Sequence, residues 1–192
     1  ADNVANGDWK QILYKEILEN IKKYSYEIIF IDDGSTDNTL NIMKKLAAND
    51  SCIKVISFRK NFGKSAALQI GFEQAAGDIV FTMDADLQDN PKEIPNFINE
   101  INQGYDLVTG WKQKRYDPIS KTLPSKLFNA VTSHMFKLKL HDYNCGFKAY
   151  RNIAVKEIDV YGEMHRYVPA LAKAKGFKVK ELVVEHRARQ YG

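Results

Sequence analysis

Apolar positions along the chain fall into two alternating rhythms. Trp9, Ile12, Leu13, Ile17 and Ile21 recur at helical spacing and predict a helix over 9–24. Glu27 to Ile31 is a short apolar run and predicts a buried strand. Asp33-Gly34-Ser35-Thr36 then reads as a turn carrying helix-capping residues. Leu40, Met43, Leu46 and Ala47 predict the next helix, and Ile53 to Phe58 the next strand. Lys64 to Ala76 predicts a helix of small residues that stops before Gly77. Asp78 to Met83 predicts a strand, Pro91 to Ile101 a helix with proline in its first turn, and Asp106 to Trp111 a further strand. Beyond residue 112 the rhythm loosens: a helix over Leu123 to Phe136, a short strand over Gly146 to Tyr150, a helix over Met164 to Lys175 and a strand over Lys178 to Val184.

Strands alternating with helices of this length predict βαβ units in an α/β domain with a mainly parallel sheet. Wholly apolar strands agree, because parallel strands are covered on both faces. One feature is out of place. Such a domain normally begins with a strand, and here the first element is a helix. Either the first strand lies ahead of Ala1 or this variant of the fold lacks it.

The 192 residues suit one domain, taken as 1–192. With 44% hydrophobic and 27% charged residues, the composition is globular. A net charge of +4 suits an anionic ligand or an anionic membrane face and is too weak to argue for nucleic acid. Cys52 and Cys145 form no CxxC pair, so neither a disulfide framework nor a zinc site is expected, and a reducing compartment fits. No apolar run reaches the length of a membrane span. The expectation is a soluble domain.

The chemistry gathers at predicted strand ends, where open α/β sheets place their ligands. Asp84-Ala85-Asp86, with Gln88 and Asp89 after it, follows the strand ending at Met83. Carboxylates two residues apart share a face and can hold a hard divalent cation against a diphosphate. A solvated acidic turn is the bland alternative. Asp32-Asp33-Gly34-Ser35-Thr36-Asp37 ends the first strand, and a carboxylate there can accept from a base or a ribose hydroxyl. Ser35 or Thr36 capping the next helix is the alternative. Arg59-Lys60-Asn61-Phe62-Gly63-Lys64-Ser65 resembles the end of a phosphate-binding loop, but that motif needs glycine five residues before Gly63, where Phe58 stands.

Taken together, IDDGSTDNT, RNFGKSAALQIGFEQAAGD, DADLQD, Asp142 and CGFKAY resemble family 2 glycosyltransferases of the GT-A fold, in the dolichol- or polyprenyl-phosphate sugar transferase branch. The match runs from about Tyr26 to the end. The resemblance implies an inverting, metal-dependent transferase moving a sugar from a UDP- or GDP-sugar to a polyprenyl or dolichyl phosphate. It implies that Asp84, Asp86 and Gln88 hold Mg²⁺ or Mn²⁺ and the donor diphosphate. Asp33, with Asp32 beside it, would contact the nucleoside, and Lys64 would line the donor side. The family opens with a strand and a Pro-x-Tyr-Asn-Glu turn, absent here, and continues past the basic segment His186 to Gly192. It therefore extends this domain at both ends.

The basic stretch Lys112 to Lys126 is the acceptor candidate, with Arg115, Lys121 and Ser125 for the lipid phosphate. Arg187 and Arg189 are candidates for further phosphate contacts. Asp142 and Asp86 are the catalytic candidates: Asp142 as general base toward a hydroxyl, or as an orienting group where the acceptor is an already ionised phosphate. Cys145 reads as a small buried residue and not a nucleophile. The expected place is the cytoplasm at the inner face of a membrane, with oligomeric state open. Three other readings stand: a family 2 transferase acting on a saccharide hydroxyl, a P-loop-like hydrolase or kinase, which Phe58 opposes, and a non-catalytic nucleotide-sugar binding module.

Overall fold

The computed structural model describes residues 9–113 and 132–187. The elements follow the predicted alternation. They are α1 (Trp9–Ile21), β1 (Ile28–Asp32), α2 (Thr39–Asn49), β2 (Ile53–Ser57), α3 (Lys64–Gln74), β3 (Ile79–Thr82), α4 (Ile94–Asn102) and β4 (Leu107–Lys112). A helical segment, α5 (132–136), precedes β5 (Lys148–Arg151), α6 (Asn152–Glu157), α7 (Val168–Ala174) and β6 (Val179–Val184).

Three departures have local causes. The helix predicted over 91–101 is a 3₁₀ turn, Pro91–Glu93, followed by α4. Asn90 caps that turn by accepting the Lys92 N–H, and Pro95 starts α4 in the first-turn position that tolerates a missing N–H. The helix predicted over 164–175 likewise divides into a 3₁₀ turn, Met164–Arg166, and α7, which begins around Pro169. The six-residue α6 was not foreseen, being too short to show a helical period. Of the helix predicted over 123–136, only 132–136 lies within the described residues.

The strands form two sheets. β1 pairs in parallel with β2, in the register Ile28 to Ile53. The second sheet has the order β3-β5-β4-β6. β4 and β6 run in parallel, and β5 lies antiparallel between β3 and β4. Its core is dry: Phe97, Leu107, Val108, Phe147 and Ala149 are each 0% exposed. The rings of Phe97 and Phe147 lie 4.6 Å apart in a tilted pair.

β1 and β3 run the same way although they share no hydrogen bonds. Their starts are tied by Glu27, whose Oε1 accepts the N–H groups of Ala76 at 2.7 Å and Gly77 at 3.1 Å. Their ends are tied through the start of α3. Asp33 takes the N–H groups of Phe62 and Gly63 at 2.7 and 2.9 Å, and Lys64 reaches Asp84 at 2.6 Å. Between the strands lies a cavity of about 970 Å³, lined mainly by apolar side chains of β1, β3, α1 and α3. Every residue of β3 is consequently only half-buried, although three of its four residues, Ile79, Val80 and Phe81, are apolar. Among the described residues the sheet is open where it divides.

Candidate active site

The acidic turn after β3 is built by opposing constraints. Leu87 is a non-glycine residue at φ 62° and is 5% exposed. A left-handed leucine is strained, and such residues persist where the surroundings over-determine them, often at functional sites. Here the surroundings are specific. Asp86 Oδ1 accepts the Gln88 N–H at 3.1 Å. Asp89 Oδ2 accepts the Asp84 N–H at 3.3 Å, and Asp89 Oδ1 pairs with Lys112 Nζ at 2.9 Å. The Gln88 carbonyl accepts the Arg187 N–H at 3.0 Å.

Asp84 is the cavity-facing end of this turn. Its carboxylate lines the cavity and touches Lys64 Nζ at 2.6 Å. Burial opposes ionisation, but Lys64, with Lys112 and Lys148 behind it, holds the carboxyl below its ordinary value. Asp84 is therefore an anion with a cation already beside it. Its position depends on Gly146, because a Cβ there would lie 2.3 Å from Asp84 Oδ2. Lys148, buried beneath, donates from Nζ to the Cys145 carbonyl and so fixes the same turn. Burial pulls its ammonium below the ordinary lysine value.

Asp32 and Asp33 divide their work. Asp32 is 3% exposed, and its oxygens accept the Ser35 N–H at 3.1 Å and the Ser57 hydroxyl at 2.9 Å. It holds the turn rather than facing a ligand. Asp33 lines the cavity mouth and clamps the Phe62-Gly63 backbone. That close approach explains Gly34, at φ +75°: a Cβ there would sit 2.5 Å from the Lys60 carbonyl carbon. Neither Ser35 nor Thr36 caps α2. The cap position is Asn38, which makes no side-chain capping bond, and Asp37 just ahead of it accepts the Thr39 N–H at 2.9 Å.

Other candidates are placed differently from expectation. Lys112 does not join an acceptor patch, because it points inward to Asp89 with only 13% of its side chain exposed. Arg187 is also engaged: Nη1 reaches Glu16 Oε2 at 2.8 Å and Nη2 reaches Asn90 Oδ1 at 2.7 Å. It braces the acidic turn against α1, which is a structural task and not the phosphate contact expected of it. Asp142 is 1% exposed, and its Oδ1 accepts the Asn144 N–H at 3.1 Å. It is a turn-forming carboxylate below the surface, unsuited in this arrangement to meet a hydroxyl directly. Arg115, Lys121, Ser125 and Arg189 lie outside the described residues.

One pair escaped sequence reasoning. The Ser65 hydroxyl, at the start of α3, lies 3.0 Å from His165 Nδ1 and accepts the His165 backbone N–H at 3.1 Å. Burial pulls the imidazole below its ordinary value, so the ring is neutral near pH 7. Where Nδ1 accepts from the hydroxyl the ring proton sits on Nε2, and where Nδ1 donates to it Nε2 is left as an acceptor. His165 lines the same cavity as Lys64 and Asp84. Ser65 and His165 are a hundred residues apart, and no local spacing could have joined them.

Among the described residues, no three His, Cys, Asp or Glu side chains form a ready-made metal cage. A cation held by one or two carboxylates, water and the ligand's own phosphate oxygens needs no such cage. The ionised Asp84, turned toward a cation that Lys64 already supplies, fits that kind of site.

Helices around an opened parallel sheet, with acidic turns at neighbouring strand ends, define a nucleotide-sugar transferase fold of the GT-A type. The glycosyl transferase family 2 model matches residues 10–159, and the chain belongs to that family. It is 37% identical over 174 residues to dodecaprenyl-phosphate galacturonate synthase of Rhizobium johnstonii, covering 88% of this chain and 52% of that protein. It is 38% identical over 168 residues to undecaprenyl-phosphate 4-deoxy-4-formamido-L-arabinose transferase of Shewanella sediminis, covering 87% and 51%. The chain thus spans about half the length of the curated relatives it matches. In fold it is similar to glucosyl-3-phosphoglycerate synthase from Mycobacterium tuberculosis, solved with Mn²⁺, UDP and phosphoglyceric acid. The TM-score is 0.71 at 17% identity, over 97% of this chain and 68% of that one. It is also similar to the mannosyltransferase PcManGT from Pyrobaculum calidifontis, solved with GDP-Man and Mn²⁺, with a TM-score of 0.62 at 18% identity over 94% and 55%.

Proposed function

We propose that this chain is the catalytic domain of an inverting transferase that moves a sugar from a UDP- or GDP-sugar to a polyprenyl phosphate at a membrane surface. The observation that carries the reading is the Asp84–Lys64 pair at the mouth between the ends of β1 and β3. A diphosphate leaving group needs fixed positive charge where its own charge develops. Lys64 can supply it by turning from Asp84 to the diphosphate. Asp84, with Asp86 and Gln88 on the same turn, would hold Mg²⁺ or Mn²⁺, which offsets the diphosphate charge when bound. His165 is a further polar side chain on the same cavity wall. Asp33 and its loop would meet the nucleoside, while Asp32 keeps that turn in shape.

The acceptor class rests on the relatives, whose names specify dodecaprenyl and undecaprenyl phosphate. An ionised phosphate needs no base to attack the anomeric carbon. The buried, turn-forming Asp142 agrees with that, and it counts against the alternative acceptor, a saccharide hydroxyl. Arg115, Lys121, Ser125 and Arg189 remain candidates for the lipid phosphate. Among the described residues no helix is long and apolar enough to cross a membrane. Association with the membrane would therefore come through the surface, through the acceptor, or through parts of a longer protein.

The test has two stages. Melting of the chain is followed with UDP- and GDP-sugars, with and without Mn²⁺, and transfer to undecaprenyl phosphate in detergent is then assayed with the donor that binds. Metal-dependent stabilisation by one donor and transfer to the lipid are expected. Transfer to a sugar hydroxyl but not to the lipid would overturn the acceptor. Donor binding without turnover would favour a non-catalytic module.

A further inference from the structure

The loop from Val160 to His165 is clamped to one face of α3 at both of its ends. Ser65 and Gln69 stand four residues apart on that helix and so share a face. Gln69 Oε1 accepts the Val160 N–H at 2.8 Å. The Ser65 hydroxyl oxygen accepts the His165 backbone N–H at 3.1 Å and lies 3.0 Å from Nδ1 of the same residue. Met164, just before it, packs in the cluster that contains Phe72 of α3. Backbone and ring of His165 are thus both tied to one hydroxyl, which orients the imidazole as well as the loop. Its Nε2 makes no hydrogen bond among the described residues, and the ring lines the cavity.

The start of α3 divides the site in two. Lys64 and Ser65 are consecutive, and consecutive side chains on a helix diverge by about 100°. Lys64 reaches Asp84, whereas Ser65 reaches His165. Burial holds the imidazole below its ordinary value, and the ammonium groups of Lys64 from α3 and Lys148 from β5 act in the same direction. On its own turn Arg166 lowers it further and Glu163 opposes. A neutral imidazole so placed offers an anion one N–H without adding charge. An inverting displacement brings the attacking group to the face of the sugar opposite the leaving group. With the donor diphosphate at Lys64 and Asp84, the place beside His165 is left for the second anion, the acceptor phosphate.

We infer that His165 binds the phosphate of the acceptor lipid through Nε2–H, and that Ser65 is the positioning residue that fixes both the ring and its tautomer. The Ser65 oxygen already accepts from the His165 backbone, so its own proton is free to go to Nδ1, which leaves the ring hydrogen on Nε2. The inference rests on the proposed function, because that reading assigns Lys64 and Asp84 to the donor. A phosphate of the donor would present the same oxygen chemistry to His165, and the test separates the two sources.

H165L removes the donor at similar bulk, and H165Q keeps an N–H near the Nε2 position. Both are compared with the unsubstituted chain in transfer to undecaprenyl phosphate and in Mn²⁺-dependent binding of the nucleotide sugar. H165L should raise KM for the lipid about tenfold or more, the scale of one hydrogen bond to a charged group, and leave donor affinity unchanged. H165Q should recover most of that loss. Nitrogen NMR of the unliganded protein should show the Nε2–H tautomer, and S65A should shift it toward a mixture, a change that a merely structural serine would not produce. Should H165L not fold, farnesyl phosphate added to the unsubstituted, donor-loaded protein must still move the Nε2 resonance. An unchanged lipid KM in H165L, an Nε2 resonance that ignores farnesyl phosphate, or an Nδ1–H tautomer would each overturn the inference. So would a loss of donor binding in H165L, which would put the donor's phosphate beside the ring. Normal transfer by the unsubstituted chain confines any such failure to His165, whereas a chain that moves no sugar to the lipid loses the proposed function as well.

Discussion

Gly146 and Asp84 are in contact across 62 residues of sequence, and the contact admits no side chain. A Cβ on Gly146 would lie 2.3 Å from one Asp84 carboxylate oxygen and 2.9 Å from the other. The backbone before β5 is thus a wall against which the first acid of the turn rests. G146A should push that carboxylate off its position while leaving the fold largely in place. The expected result is loss of Mn²⁺-dependent stabilisation by the donor, read by thermal shift, with the unliganded melting temperature lowered by a few degrees. Full retention of metal-dependent binding would mean that Asp84 is not a ligand.

Lys64 stands where a diphosphate would draw it. K64M should weaken donor binding and lower turnover by about a hundredfold, the scale of removing one preorganised donor to developing charge. Affinity for Mn²⁺ without nucleotide should rise, because the ammonium no longer competes for Asp84. Titration calorimetry separates the two effects. Unchanged donor affinity in K64M would remove the lysine from the site.

Lys112 and Asp89 are a buried ion pair at 2.9 Å with side chains 13% and 1% exposed. K112M strands the carboxylate, and breaking such a pair costs about 3 kcal/mol or more. K112M/D89N should recover most of that loss, as judged by urea unfolding. If Lys112 instead served an acceptor phosphate, K112M would spare stability and reduce lipid transfer.

Glu27 ties the starts of β1 and β3, so its titration reads the seam of the sheet. Burial opposes its ionisation, but Lys54 and the N–H groups of Ala76 and Gly77 prevail and hold the carboxyl below its ordinary 4.5. A depressed carboxylate stabilises the fold above its unfolded value, and that contribution disappears as pH falls through the folded value. E27Q should therefore cost about 1 kcal/mol at pH 7. The gap between the two proteins should narrow as pH falls below the ordinary 4.5 and close once it has passed the lowered folded value. A gap that is constant from pH 7 to pH 3 would show that the charge is irrelevant.

Cys145 is 2% exposed. Burial pushes its thiol up to about 12, so it is no nucleophile at neutral pH. In the folded protein a thiol reagent at pH 8 should label Cys52, which is partly exposed, and spare Cys145 until denaturant is added. Equal labelling of both would contradict the packing of the β4–β5 region.

Much of this protein was legible in one dimension because its determinants are local. Helical and strand periods within α1, β1, β2 and β3, and glycine and proline at the boundaries, report contacts within a few residues, so the elements fell close to where they were expected. The DADLQD turn was legible for the same reason. What only the tertiary structure decided is which charges face a ligand and which face each other. Lys112 and Arg187 read as free cations, yet each meets an acid that no spacing connects to it, Asp89 in one case and Glu16 in the other. Asp32 and Asp33 look equivalent, yet one faces inward and the other faces the cavity mouth. Ser65 and His165, and Gly146 and Asp84, meet only because the fold brings together segments far apart in the chain. Charge and hydrogen-bonding capacity belong to the residue, but their use depends on distances that sequence separation does not encode.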